Sequence, residues 1–216
     1  MITDPWAVVR RYPLTCMIIL VNVVLYPVTS GLDSGDVTGL FQHMTFLEFQ
    51  ERGPYQYFAN LTHTIESGQY WRLLTPMFLH FGLLHIVFNL LWVWEVGRRI
   101  ELVNGSLVLL LVTLTSSLLA NFMQYFLYGP SFFGGMSGVV FGFLGYSLVW
   151  SRMVPRRTTG LPPGLYIFML VYLAVGFTGA IDLLGLGSLA NGAHLGGLVG
   201  GVLIGIVAGG INRRPR

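Results

Sequence analysis

Residues 190–211 read A-N-G-A-H-L-G-G-L-V-G-G-V-L-I-G-I-V-A-G-G-I, an apolar run without a charge and long enough to cross a hydrocarbon core of about 30 Å as a helix. Asn191 and His194 stand at its start, three positions apart and so on one helical face. Glycines follow at 192, 196, 197, 200, 201, 205, 209 and 210, overlaying several small-xxx-small frames that let another backbone come close. A helix of this kind belongs inside a bundle, against a neighbour or against a second copy of the chain.

Working outward, further uncharged runs lie at 13–30, 73–97, 106–128, 136–150 and 165–181, making six in all. Hydrophobic residues are 54% of the chain and charged residues only 10%, and the mean hydropathy is +0.68, outside the range of a soluble domain. The six runs are therefore read as bilayer-spanning helices, in which every backbone polar group is satisfied within the span. The predicted fold is an all-α polytopic membrane protein, one domain over residues 1–216, with an outer loop at 31–70 and a membrane core from about 71 to 211. The first run is longer than a signal-peptide core and is followed by no cleavage pattern, so it is read as retained.

Orientation follows from the basic residues, all twelve of which are arginine. Arg10, Arg11, Arg98, Arg99, Arg152, Arg156, Arg157, Arg213, Arg214 and Arg216 fall on one side of an alternating bundle, against Arg52 and Arg72 on the other. The positive-inside rule then places both termini in the cytoplasm and residues 31–70 outside.

Several classes of partner drop out. A net charge of +3 calls for no nucleic acid. A lone cysteine, Cys16, rules out an intramolecular disulfide and a thiolate metal cluster, and reads as apolar filler. His43 and His63 in the outer loop have no cysteine or HExxH arrangement beside them, so neither metal nor cofactor is expected. Asn60-Leu61-Thr62 forms a glycosylation sequon that matters only in a eukaryotic host. Glu95 stands at helical spacing from Arg98 and Arg99, a pairing worth a few tenths of a kcal/mol on a surface.

With this topology the second, fourth and sixth spans run the same way, and their first turns share the outer leaflet. Those turns carry the unusual polar residues: His80, His85 and Asn89 in the second, Ser137 after Gly134-Gly135-Met136 in the fourth, Asn191 and His194 in the sixth. His85 and Asn89, four apart, share a face. Ionisable residues inside spans mark function more often than packing, although neutral imidazoles also serve as interhelical hydrogen-bond partners. Serine alone is weak evidence. Gly134, Gly135 and Gly138 leave bare backbone around Ser137, which suits close approach of a substrate and free N–H groups at a helix start, aimed where an oxyanion would form. Because serine is short, its helix must lie close to His194; Gly197 and Gly201, on the same face as His194, permit that.

These residues resemble the rhomboid intramembrane serine proteases. The likeness runs from Trp71 to about Gly209. It rests on Trp71-Arg72, His80-Phe-Gly-Leu-Leu-His85-Ile-Val-Phe-Asn89, Gly134-Gly-Met-Ser137-Gly138, and Ala193-His194 followed by Gly197 and Gly201. The resemblance implies a catalytic dyad of Ser137 and His194, with the main-chain N–H of Ser137 and the side chains of His85 and Asn89 stabilising the oxyanion. It implies single-pass transmembrane proteins as substrates, admitted sideways past the fifth helix, where Tyr166, Phe168, Tyr172 and Phe177 would form the gate. Trp71 and Arg72 would belong to an interfacial loop. Bacterial members often carry tyrosine four residues after the nucleophile, stacked on the histidine; here that position is Phe141, which keeps the stacking and loses the hydroxyl. The chain is similar to the minimal six-helix form, expected in a bacterial cell membrane.

In this reading His194 takes the Ser137 proton during attack and later returns a proton to the leaving amine. Asp182 is the only carboxylate after Glu101, so a dyad is expected, with asparagine, backbone and water orienting the ring. Two rivals are a rhomboid-like protein that binds membrane segments without cutting them, and a small transporter. The joint presence of Ser137, His194, His85 and Asn89 argues against the first. The lack of an internal repeat argues against the second. The oligomeric state is left open by the sequence.

Overall fold

The computed structural model describes residues 4–29, 39–183 and 189–213. In chain order the elements are α1 (Pro5–Arg11), α2 (Pro13–Thr29), α3 (Gly39–Met44), β1 (Phe49–Arg52), β2 (Tyr55–Phe58) and α4 (Leu61–Glu66). Then come α5 (Leu83–Trp92), a π-helical stretch (Val93–Gly97), α6 (Arg98–Asn104), α7 (Ser106–Tyr128), α8 (Ser137–Met153), α9 (Pro163–Phe177), α10 (Ala180–Leu183) and α11 (Asn191–Asn212). Among the described residues, α7 and α11 are long and apolar enough to cross a membrane by length and composition, and α2 and α9 are shorter apolar helices.

Three expectations are corrected. The fold is mostly rather than wholly α: in the outer loop β1 and β2 form an antiparallel hairpin, with Phe49 opposite Phe58 and Arg52 opposite Tyr55. Gly53 opens its two-residue turn with φ at +62°, a conformation glycine reaches without a steric penalty. Residues 31–38 of the proposed outer loop lie outside the described residues. The second run, read as a helix over 73–97, becomes helical only at Leu83, so His80 precedes the helix. Before it the chain makes two tight 3-10 turns, Tyr70–Leu73 and Thr75–Phe78. Pro76 lacks the N–H that a continuous helix needs, which is the local reason for the break. The fifth run ends early as well, at Phe177, because Gly179 takes a φ of +72° before α10 begins.

The broken stretch is held by a polar stripe on α7. Ser117 Oγ donates to the Leu74 carbonyl at 3.2 Å, and Asn121 Nδ2 donates to the Leu73 carbonyl at 2.9 Å. Irregular backbone buried among helices survives only with such partners. The outer segment is tied down by Arg72, which is 3% exposed. Its guanidinium donates to the carbonyls of Gln42 (2.6 Å) and Thr45 (3.0 Å) and to Gln69 Oε1 (2.6 Å). Gln69 in turn donates to Glu48 at 3.1 Å, and His63 Nε2 lies 3.2 Å from the same carboxylate. The Gln69 amide first, and His63 second, hold the Glu48 carboxyl below its ordinary range.

A second buried anchor is Glu101 in α6. Its carboxylate accepts from the Leu14 N–H (2.8 Å), the Thr15 N–H (2.9 Å), Thr15 Oγ1 (2.6 Å) and Ser106 Oγ (2.7 Å). A side chain from another helix thus caps the first turn of α2 and has its own charge satisfied by four donors. Glu95 pairs with Arg98 at 2.7 Å and Arg99 at 2.5 Å, as the spacing predicts.

At the centre, α11 lies between α7 and α8, and glycine lines both contacts. A side chain at Gly197 would overlap the carbonyl oxygen of Gly138, and one at Gly201 that of Gly142. On the other face a Cβ at Gly200 would stand 2.9 Å from Ser116 Cα, and one at Gly192 2.8 Å from Gln124 Cα. These are backbone-to-backbone contacts that no side-chain rotation relieves. Gly210, past the contact, has open space. Gly201→Ala is therefore expected to destabilise by about 2 kcal/mol or more through overpacking, whereas Gly210→Ala is neutral or slightly stabilising. Thermal unfolding of the two variants in one detergent, side by side, checks this; equal melting temperatures would contradict the packing account.

Candidate active site

The close approach of α8 and α11 brings their first turns together. Ser137 opens α8 and His194 sits in the first turn of α11, 3% exposed. His194 Nε2 lies 2.9 Å from Ser137 Oγ, within hydrogen-bond distance, so that an imidazole unprotonated at Nε2 would accept from the hydroxyl. Phe141, one turn beyond Ser137, stacks on the imidazole with centroids 4.7 Å apart and planes at 29°. Tyr172 of α9 stacks on Phe141 at 6.4 Å and reaches His194 at 6.1 Å. The ring is thus held in place by aromatic contact, as the phenylalanine at 141 allows.

Asparagine does not orient it. The expectation that Asn191 supports the imidazole is corrected: its Nδ2 donates to the Gly176 carbonyl at 2.8 Å, and His194 Nδ1 is buried without a hydrogen-bond partner among the described residues. Asp182 lies on α10, but its side chain is outside the described residues, so no third member of a triad is assigned.

The segment before Ser137 is shaped by its glycines. Gly134 packs so tightly that a Cβ would come within 2.6 Å of the Pro76 carbonyl oxygen. Gly135 has φ at +104° and donates its N–H to that same carbonyl at 2.9 Å. A side chain there would point at two groups: its Cβ would lie 2.7 Å from His85 Nε2 and 3.3 Å from Asn89 Nδ2. These two groups, one helical turn apart on α5, therefore face one point beside the serine. The Phe81 N–H lies 3.3 Å from His85 Nδ1, which makes Nδ1 the acceptor and leaves Nε2–H as a donor toward that point. Neither His85 Nε2 nor Asn89 Nδ2 has a protein partner among the described residues. With no side-chain cap on α8, its first N–H groups are also free of intrahelical bonds. Chemically this is a nucleophile, a base, and a set of unpaired donors where a tetrahedral oxyanion would sit.

A cavity of about 630 Å³ opens onto the pair, lined among others by Phe81, His85, Gln124, Asn191, Ser137 and His194. Met136 and Gly138 flank the serine. Met136 is buried and gives its N–H to His80 Nε2 at 3.4 Å, while His80 Nδ1 faces the Phe78 carbonyl at 3.3 Å. His80 therefore props the loop that carries Ser137 and does not line the cavity. The sequence reading missed Gln124, whose Oε1 accepts from the Ala193 N–H at 3.1 Å and caps α11 one residue before the base. Its signal was present: Ser117, Asn121 and Gln124 recur at helical spacing on an otherwise apolar helix.

Inside the helical bundle, a serine hydroxyl thus lies within hydrogen-bond distance of a buried imidazole and faces donors that are unpaired among the described residues. The family pattern that matches is the Rhomboid domain, over residues 67–210. The chain is also 36% identical over 194 residues to the Rhomboid protease GlpG of Photorhabdus laumondii subsp. laumondii, covering 89% of this chain. It spans 60% of that relative's length. The chain belongs to the rhomboid family.

Gly135→Ala tests the donor pocket directly. The added methyl would fall against His85 Nε2 in a backbone conformation that alanine rarely adopts. The rate of Ser137 labelling by a fluorophosphonate is expected to drop at least about tenfold, given that single oxyanion donors contribute 10²–10³. A wild-type labelling rate in this variant would show that the pocket is not used.

Proposed function

We propose that the chain is an intramembrane serine endopeptidase that cuts single-pass transmembrane proteins within or beside their membrane segment. The observation that carries the reading is the 2.9 Å contact between Ser137 Oγ and His194 Nε2 beside two unpaired donors. Ser137 attacks the scissile carbonyl as His194 Nε2 takes its proton. The carbonyl oxygen, now an anion, is held by His85 Nε2–H, Asn89 Nδ2–H and the main-chain N–H of Ser137. His194 then protonates the leaving amine, and water, activated by the same imidazole, releases the acyl group from Ser137.

In this proposal six helices span the bilayer with both termini in the cytoplasm, and the chain resides in a bacterial cell membrane. Substrate enters sideways past α9, whose Phe168 and Phe177 are exposed and whose Tyr172 packs inward on the site. The rhomboid-like binder without chemistry is less well supported, because it leaves the converging donors without a purpose.

The test is labelling of the purified protein with a fluorophosphonate, followed by cleavage of a co-expressed single-pass reporter. Ser137→Ala and His194→Ala are expected to abolish both, and His85→Ala and Asn89→Ala to slow cleavage by about 10²-fold each. Labelling that survives Ser137→Ala or His194→Ala would refute the assignment.

A further inference from the structure

Asn191 was expected at the active site, yet its side chain serves a different helix. It is 6% exposed, and its Nδ2 donates to the Gly176 carbonyl in the last turn of α9 at 2.8 Å. A Cβ at Gly176 would overlap Asn191 Oδ1 and stand 3.2 Å from Asn191 Cγ, so glycine is what lets the amide seat there. Among the described residues this is the one side-chain hydrogen bond between α9 and α11.

The rest of the α9 attachment is apolar packing on one face, to which Leu165 and Tyr166 also contribute. Met169 and Leu173 enter the core and Tyr172 leans on Phe141, while Ile167, Phe168, Leu170, Val171 and Val175 are exposed. Asn191 also lines the cavity over Ser137, one helical turn before His194. The tie to α9 and the base thus share one anchor, at the edge where the cavity meets that helix.

We infer that Asn191 is a positioning residue: its amide latches α9 against the active-site cavity, so that a membrane segment reaches Ser137 only after the bond to Gly176 breaks. The inference rests on the function proposed above. A small reagent that reaches Ser137 through the cavity does not need α9 to move, whereas a transmembrane helix does. The latch therefore weighs on large substrates selectively, by lowering the population of the open form.

The experiment compares two rates on the full chain in lipid nanodiscs: kcat/KM for a transmembrane reporter, and the second-order rate of labelling by a small fluorophosphonate. Asn191→Leu keeps the volume and removes the donor; Gly176→Ala breaks the same bond from the other side. In both, the reporter-to-probe ratio is expected to rise about fivefold, the population change that one net hydrogen bond makes. A ratio that stays at the wild-type value or falls overturns the latch. A third arm is free of folding differences between variants. The Gly176→Cys, Asn191→Cys pair, oxidised, is expected to lose reporter cleavage by at least about tenfold relative to probe labelling and to regain it on reduction. An oxidised pair that cleaves as fast as the reduced one also overturns the latch. If the wild type neither labels nor cleaves, the function itself fails; if it does both and the ratios do not move, only the latch fails.

Discussion

Contact between bare backbones governs this molecule. Where α11 crosses α8, the Gly138 carbonyl oxygen fills the space that a methyl group on Gly197 would need, and the Gly142 carbonyl does the same for Gly201 one turn on. A serine side chain extends only one bond beyond Cβ, so its hydroxyl reaches an imidazole on another helix only when the two helices nearly touch. The glycine stripe supplies that approach without spending it on side-chain packing. The 2.9 Å bond between Ser137 and His194 follows from it, and so does the stacking of Phe141 on the ring.

A helix pair this close leaves little room for polar side chains to settle the ends of its own helices, and they are settled from elsewhere. Gln124 of α7 caps the start of α11, His80 receives the Met136 N–H ahead of α8, and Pro76 accepts from Gly135. Beside the serine, among the described residues, His85 Nε2 and Asn89 Nδ2 keep no protein partner, and the first N–H groups of α8 make no intrahelical bond. The two nitrogens converge on one point beside Gly135, and His85 lines the cavity, where a bound group can meet them.

Much of this was legible in the residues. Charge-free runs located α2, α7, α8, α9 and α11 to within a few residues, and polar residues in apolar first turns named Ser137, His194, His85 and Asn89. What stayed hidden has physical reasons. Hydropathy is blind to backbone conformation, so the run at 73–97 reads as continuous although Pro76 and the carbonyl-binding side chains of α7 hold its first part as tight turns. The hairpin of β1 and β2 is short and mostly polar, with only Phe49 buried among its eight residues, too weak an alternation to mark a strand. Asn191 shows the limit most clearly: spacing placed it on the face of His194, but nothing in spacing tells which of two neighbouring groups an amide will choose.

Glu101 carries a consequence for how the chain is made. The carboxylate that closes the first turn of α2 stands 86 residues later than the Thr15 N–H it receives. During synthesis α2 leaves the ribosome with that turn unfinished, and it stays so until α6 emerges and docks. At about 5–20 residues per second, synthesis of the intervening residues takes seconds, far longer than helix formation, so biogenesis passes through a species in which α2 is formed but frayed at one end. The order of assembly is thereby written into one acidic side chain, far along the chain from Ser137 and His194.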